Sequence, residues 1–210
     1  KDALILDCDA SLARLGRETI DLWLLHNPGD ATIRAGEWRS AIDQLELDGK
    51  IRAWGMSVGD AEEARLAIDA GAQAICLHHN LLAQSDLTDL GTDLAARGCG
   101  VLVRSPLMYG LLAGRWSEGR RFTADDHRAN RWSRSAFEER IGDVEELRFL
   151  VGPDHSDLAT AAIRFVLTHA AVTTAIVGAR NSHQIGAAVE AASGPPYLSA
   201  DDMARLTKIR

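Results

Sequence analysis

The stretch TIDLWLLHNP (19–28) places a near-continuous apolar run directly before His-Asn-Pro. A strand with one face in water alternates apolar and polar residues, whereas a strand covered on both faces does not. Four more runs of the same kind follow: IRAWGMS (51–57), AICLHHN (74–80), GVLVRSP (100–106) and TTAIVGA (173–179). Helix-period segments lie between and after them, at 37–48, 60–70, 86–97, 156–169, 182–192 and 199–209. Gly49, Gly71 and Gly98 sit where three of these helices should stop, as left-handed cap glycines do. Strand–helix alternation with short links predicts right-handed βαβ units on a parallel sheet.

Such a sheet is either open and doubly wound or part of a barrel. No Gly-rich dinucleotide fingerprint follows any strand; GDAEEA (59–64) comes nearest and lacks the spacing. The expectation is therefore an α/β chain of the (β/α)8 TIM-barrel class, with about five of the eight β/α units present. Five strands cannot close such a barrel. The chain opens KDALILD, without an initiator Met and already inside a helical apolar pattern. A helix seldom starts a domain without a cap, so further barrel is expected upstream. We expect a single domain over 1–210, with a long polar loop at about 115–150 after the fourth strand, a length at which loops are usually functional.

Composition narrows the function. Of 210 residues, 46% are hydrophobic and 25% charged, the values of a globular chain. The net charge of −7 argues against a nucleic-acid partner, which would select a basic surface. Cys8, Cys76 and Cys99 are odd in number and set in apolar context, which predicts buried thiols in a reducing, cytoplasmic compartment. The most apolar window, Ala159–Ala179, contains Arg164 and His169, so no membrane span is expected. The first residues show neither the n-region nor the h-region of a secretory leader, so none is expected.

In barrels of this class the chemistry sits at the carboxyl ends of the strands. Those ends read His26-Asn27-Pro28, Ser57, Asn80, Ser105-Pro106 and Gly178-Ala179-Arg180. The only lysines, Lys1, Lys50 and Lys208, lie elsewhere, which disfavours a Schiff-base aldolase. No His, Cys or carboxylate cluster has ligand spacing; Cys76 and His78 share a strand face but lack further ligands. His26 either satisfies turn backbone or handles a ligand at the barrel mouth. In SPLMYGLLAGR (105–115) a strand ends in Ser-Pro, and the small residues that follow either make a plain glycine-bearing turn or admit close approach of backbone to a ligand. Arg115, Arg120, Arg121, Arg128, Arg131 and Arg134 follow, against Glu118, Asp125 and Asp126. Such a local excess of guanidinium is either a solvated face or a site for an anionic small ligand. GARNSHQI (178–185) sets a strand end, an Arg and a helix start in sequence, an arrangement suited to phosphate. Ser182 could equally be only the helix N-cap.

Taken together these residues resemble the aldo-keto reductase superfamily. The matching stretches, in family order, are SLARLGRETIDLWLLHNP (11–28), DGKIRAWGMS (48–57), HNLL (79–82), GVLVRSPLMYGLLAGRW (100–116), FTADDHR (122–128) and AIVGARNSHQI (175–185). The resemblance implies the carboxyl-terminal two-thirds of the barrel, its strands 4 to 8. It further implies NADP(H) as cofactor and hydride transfer between it and an aldehyde or ketone, the small-molecule carbonyl substrate. In that family a Tyr protonates the alkoxide, a Lys paired with an Asp lowers the Tyr pKa, and a His orients the carbonyl. His26 matches that catalytic His. Ser57 matches the serine that binds the nicotinamide carboxamide, and Arg104 takes the place of an aromatic that stacks on the nicotinamide in many members. Ser105, Pro106, Leu107, Gly110 and Arg115 match the loop that wraps the pyrophosphate. Gly178, Arg180 and Gln184 match the segment near the 2′-phosphate and adenine.

The departures are specific. Val58 stands where many members carry a polar side chain, and Cys76 where a carboxamide-binding Gln is common. Ala187 and Ala188 replace a Glu-Asn pair near the adenine. The Asp, Tyr and Lys belong to the first three barrel strands, upstream of Lys1, and neither Tyr109 nor Tyr197 matches. The chain by itself is therefore expected to be inactive. Two rivals remain: a non-catalytic cofactor-binding or regulatory subunit of the same fold, and an unrelated barrel enzyme acting on a phosphorylated ligand.

Overall fold

The computed structural model describes residues 1–195 and 197–209. Five parallel strands appear: β1 (Trp23–His26), β2 (Trp54–Ser57), β3 (Ala74–His78), β4 (Gly100–Arg104) and β5 (Val172–Ile176). Their order in the sheet follows the chain, β1-β2-β3-β4-β5. The helices are α1 (Asp2–Leu15), α2 (Gly29–Ala35), α3 (Arg39–Leu47), α4 (Ala61–Asp69), α5 (Ser85–Arg97), α6 (Arg134–Glu146), α7 (Leu158–Thr168), α8 (Ser182–Ala191) and α9 (Ala200–Leu206). This is the α/β, partial-barrel architecture that the alternating runs predict.

The chain folds as two compact units. The first comprises Lys1–Leu77 and Ser85–Leu102. Here β1, β2 and β3 pair in parallel, with Leu24 opposite Gly55, His26 opposite Ser57, and Ser57 opposite Cys76. One register thus brings His26 and Ser57, at the carboxyl ends of β1 and β2, level with Cys76 in the middle of β3. Ile42, Leu45, Met56, Ile75, Leu87, Leu90 and Leu94 are fully buried around this sheet. Trp38 and Trp54 meet at 5.1 Å, and the Arg39 guanidinium lies over both rings at 4.5 and 4.9 Å. It also donates to the Ala70 carbonyl, so a cation is accommodated by ring faces and one backbone oxygen.

Helix ends agree with the sequence. Gly49, Gly71 and Gly98 all hold positive φ, at 69°, 91° and 63°. GDAEEA is a helix cap: Asp60 accepts from the Glu63 amide at 2.9 Å, and Glu63 accepts from the Gly59 amide at 2.5 Å. This reciprocal box occupies the amides that a phosphate would need.

The second unit comprises His78–Gln84 and the chain from Val103 onward. Leu111, Leu112, Leu158, Ala161, Ala162, Phe165 and Val166 form its core. Asp157 caps α7 by accepting from the Thr160 amide at 2.8 Å. Asp157→Ala should cost about 1 kcal/mol and Asp157→Asn under about half of that, read as the shift in urea midpoint; equal losses would remove the cap assignment. On β5 and α8 large apolar side chains stay exposed, Ile176 at 47%, Ile185 at 52% and Val189 at 67%.

Two segments differ from expectation. The polar stretch 115–150 is helical in its second half, where α6 begins at Ser133, whose hydroxyl accepts from the Ala136 amide at 3.2 Å. Phe137, Ile141 and Val144 are buried along one face of it, at the spacing a helix needs. Residues 29–35, outside the helix-period segments of the sequence, form α2, with Asp30 in its first turn, Ile33 buried and Gly36 in the left-handed region after it.

Candidate cofactor and catalytic site

In the first unit the strand ends present three polar residues. His26 closes β1 with an exposed side chain, and its ring makes no hydrogen bond among the described residues. Asn27 follows in the left-handed region, φ 46°, which Asn tolerates better than most residues. Its amide donates to the Ser57 carbonyl at 3.0 Å, and its side-chain Oδ1 accepts from Ser57 Oγ at 3.0 Å. Ser57 itself is 4% exposed. Val58 and Cys76, the departures from the family pattern, are both buried beside it, with the Val58 amide donating to the Cys76 carbonyl at 2.9 Å.

The second unit contains a cavity of about 620 Å³, within the range of small-molecule sites. Eight residues singled out from sequence line it: Ser105, Pro106, Leu107, Gly110, Arg115, Gly178, Arg180 and Gln184. Arg104 ends β4, half-buried, and is not among the lining residues.

The cavity loop is built on unusual backbone. Ser105, Met108 and Tyr109 hold φ of 58°, 44° and 60°. Non-glycine residues in this region are strained, and such strain gathers at ligand clamps. Buried Asn80 braces the turn: its Nδ2 donates to the Ser105 carbonyl at 3.1 Å and sits 3.1 Å from His78 Nε2, while its Oδ1 accepts from the Leu82 amide at 2.9 Å. Gly110, φ 98°, lies where an added Cβ would come within 3.3 Å of the Trp116 ring.

Charge in the cavity is unevenly committed. Arg128 pairs with Asp126, Nε to Oδ1 at 2.8 Å, and its guanidinium lies over Phe122 at 4.9 Å and Trp116 at 5.5 Å. The Asp126 carboxyl is driven well below the usual carboxylate range by its hydrogen bonds from Arg128, so this pair stays ionised and internally neutral. Arg115 faces Asp157 at 3.9 Å. The Arg180 guanidinium has no carboxylate partner among the described residues. Its backbone amide donates to Gln184 Oε1 at 2.8 Å, and the Gln184 amide donates to Asn181 Oδ1 at 3.0 Å. Asn181, and not Ser182, is therefore the N-cap of α8.

Sequence reasoning gave no role to His127 or His183 and named Arg128 only as one of several arginines, yet all three line the cavity, with Tyr109 and Trp116 beside them. The FTADDHR stretch held the Arg128 signal, an acid two residues before an arginine. Arg131 lies 3.6 Å above the Tyr109 ring, so Tyr109 is held as a wall beneath a cation. The fit to a dinucleotide is best at the phosphates, where a strained, glycine-bearing loop and an uncommitted guanidinium converge on one cavity. Among the described residues no group of His, Cys, Asp or Glu could hold a metal, and no helix is long and apolar enough to cross a membrane.

Comparison with known proteins agrees with the partial-barrel fold. The glycerol dehydrogenase AKR11B4 from Gluconobacter oxydans superposes with a TM-score of 0.81 at 28% identity, over 97% of this chain and 62% of its own. An aldo-keto reductase of Babesia bovis is 26% identical over 88% of this chain and 78% of its length. A pyridoxal 4-dehydrogenase of Microbacterium luteolum is also 26% identical, over 88% of this chain and 55% of its own. The chain thus spans about three-fifths of the solved relative. The model of the aldo/keto reductase family matches residues 1–210 throughout, and the chain belongs to that family.

Proposed function

We propose that this chain is the cofactor-binding, carboxyl-terminal part of an NADP(H)-dependent carbonyl reductase acting on an aldehyde or ketone. The observation that carries the reading is Arg180: a cavity arginine without a carboxylate partner among the described residues, beside the start of α8. NADP and NAD differ by one 2′-phosphate, and a free guanidinium distinguishes them by charge. In this assignment Ser105, Pro106, Leu107, Gly110 and Arg115 embrace the pyrophosphate, and Gly178, Arg180 and Gln184 the adenosine end. Ser57 and Arg104 take the nicotinamide end. NADP(H), when bound, supplies or accepts the hydride. His26 points the substrate carbonyl, and the proton donor comes from outside these residues. This chain alone is proposed to bind cofactor without turnover. Its free, buried cysteines suit a reducing cytoplasm.

Arg180→Ala tests the assignment. A charge-assisted contact is worth roughly 1.5–3 kcal/mol, so NADPH affinity should fall about 10- to 100-fold and NADH affinity under about threefold, read by fluorescence titration. Equal losses for the two nucleotides would remove Arg180 from the 2′-phosphate. A second reading, a cofactor-binding subunit without catalysis, is favoured by Val58 and Cys76 at the nicotinamide end. Its signature is NADPH binding without reduction of any aldehyde or ketone by the full-length protein.

A further inference from the structure

We infer that Asn27 reads the carboxamide jointly with Ser57, the two side chains offering one donor and one acceptor to a primary amide. The inference rests on the reading of Ser57 as part of the nicotinamide end. A serine hydroxyl has one proton and two acceptor lone pairs. That proton is committed to Asn27 Oδ1 at 3.0 Å, and with Ser57 only 4% exposed the hydroxyl is held in place. Ser57 is therefore left as an acceptor, suited to the N–H of a carboxamide and unable to serve its C=O.

The complementary donor is Asn27 Nδ2. Asn27 is exposed, and its Nδ2 makes no hydrogen bond among the described residues. The neighbouring positions offer little for this purpose: Val58 has no polar atom in its side chain, and the Cys76 thiol is a weak donor. Asn27 is tied to Ser57 at two points, its side chain through Oδ1 at 3.0 Å and its backbone through the N–H to the Ser57 carbonyl at 3.0 Å. Its left-handed backbone, φ 46°, is what turns the side chain back onto Ser57 after the end of β1. A tied acceptor beside a free donor matches the two edges of a primary carboxamide.

The test uses the intact full-length protein and two probes, NADPH and its 3-acetylpyridine analogue, which keeps the carbonyl and lacks the N–H donors. Asn27→Gly is the informative variant, because glycine accepts the positive φ and removes only the side chain. Wild type should prefer NADPH over the analogue by about tenfold. Asn27→Gly should melt at or near the wild-type temperature, bind NADPH about tenfold more weakly, and lose the preference, since the Ser57 proton is released and its oxygen no longer has to accept. Ser57→Ala should weaken NADPH alone. An Asn27→Gly protein that matches wild type with both nucleotides overturns the role of Asn27 while leaving the cofactor reading intact. A wild type that binds neither nucleotide overturns the cofactor reading, and this inference with it.

Discussion

Replacing His26 by Ala is expected to lower turnover of an aldehyde or ketone by the full-length protein about 100-fold or more, with NADPH affinity changed less than about threefold. The separation follows from position. His26 ends β1 with an exposed ring that makes no hydrogen bond among the described residues. Neither the sheet nor the second unit's cavity depends on it, so its loss should leave the folded state and the phosphate contacts alone. A group that orients a carbonyl acts on the reacting geometry, and positioned groups working as a unit lose most of their effect when one is removed. The check is steady-state kinetics beside a fluorescence titration. A variant that loses cofactor affinity and keeps its turnover number would make His26 a structural residue.

Gly55→Ala is expected to cost about 3 kcal/mol or more, the largest stability effect of a single methyl group in the first unit. Gly55 lies in the middle of β2, opposite Leu24 on one side and Ala74 on the other. A Cβ there would overlap the Ala74 carbonyl and meet a Leu24 methyl at 2.9 Å. The first of these is backbone of a paired strand and cannot swing aside. The ladder that levels His26, Ser57 and Cys76 must then shift, so carboxamide recognition should weaken along with stability. The urea midpoint reads the first effect, and a melting temperature about 6–12 °C lower should accompany it. A Gly55→Ala protein as stable as wild type would contradict the strand spacing described here.

How much of this was legible in the sequence depended on whether the signal was local. The five parallel strands were readable from runs such as TIDLWLLH, because burial on both faces leaves a continuous apolar stretch. Their starts were less so: Ile20 makes only an isolated bridge to Ile51, and β1 begins at Trp23. The helix stops at Gly49, Gly71 and Gly98 were readable because the left-handed region favours one residue type. α6 was hidden by its composition, in which Arg134, Glu138, Glu139 and Arg140 surround the buried Phe137, Ile141 and Val144. α2 is too short for periodicity to distinguish it from a loop.

At the candidate site the loop of residues 105–115 announced itself through Ser-Pro and glycine. The positive φ of Met108 and Tyr109 did not, since neither residue type signals it. The arginines looked alike in sequence. Only coordinates separate Arg128, neutralised by Asp126, from Arg180, which pairs with no carboxylate among the described residues. Asn27 carried no sequence signal as a ligand group either, because its pairing with Ser57 spans thirty residues of chain.

The most direct test of the central claim is a titration of the intact full-length protein with NADPH and with NADH, followed by protein and nucleotide fluorescence. The account predicts saturable binding of NADPH, at least about tenfold tighter than NADH. Absence of NADPH binding, with the arginine-lined cavity instead occupied by a sugar phosphate that NADPH fails to displace, would contradict it.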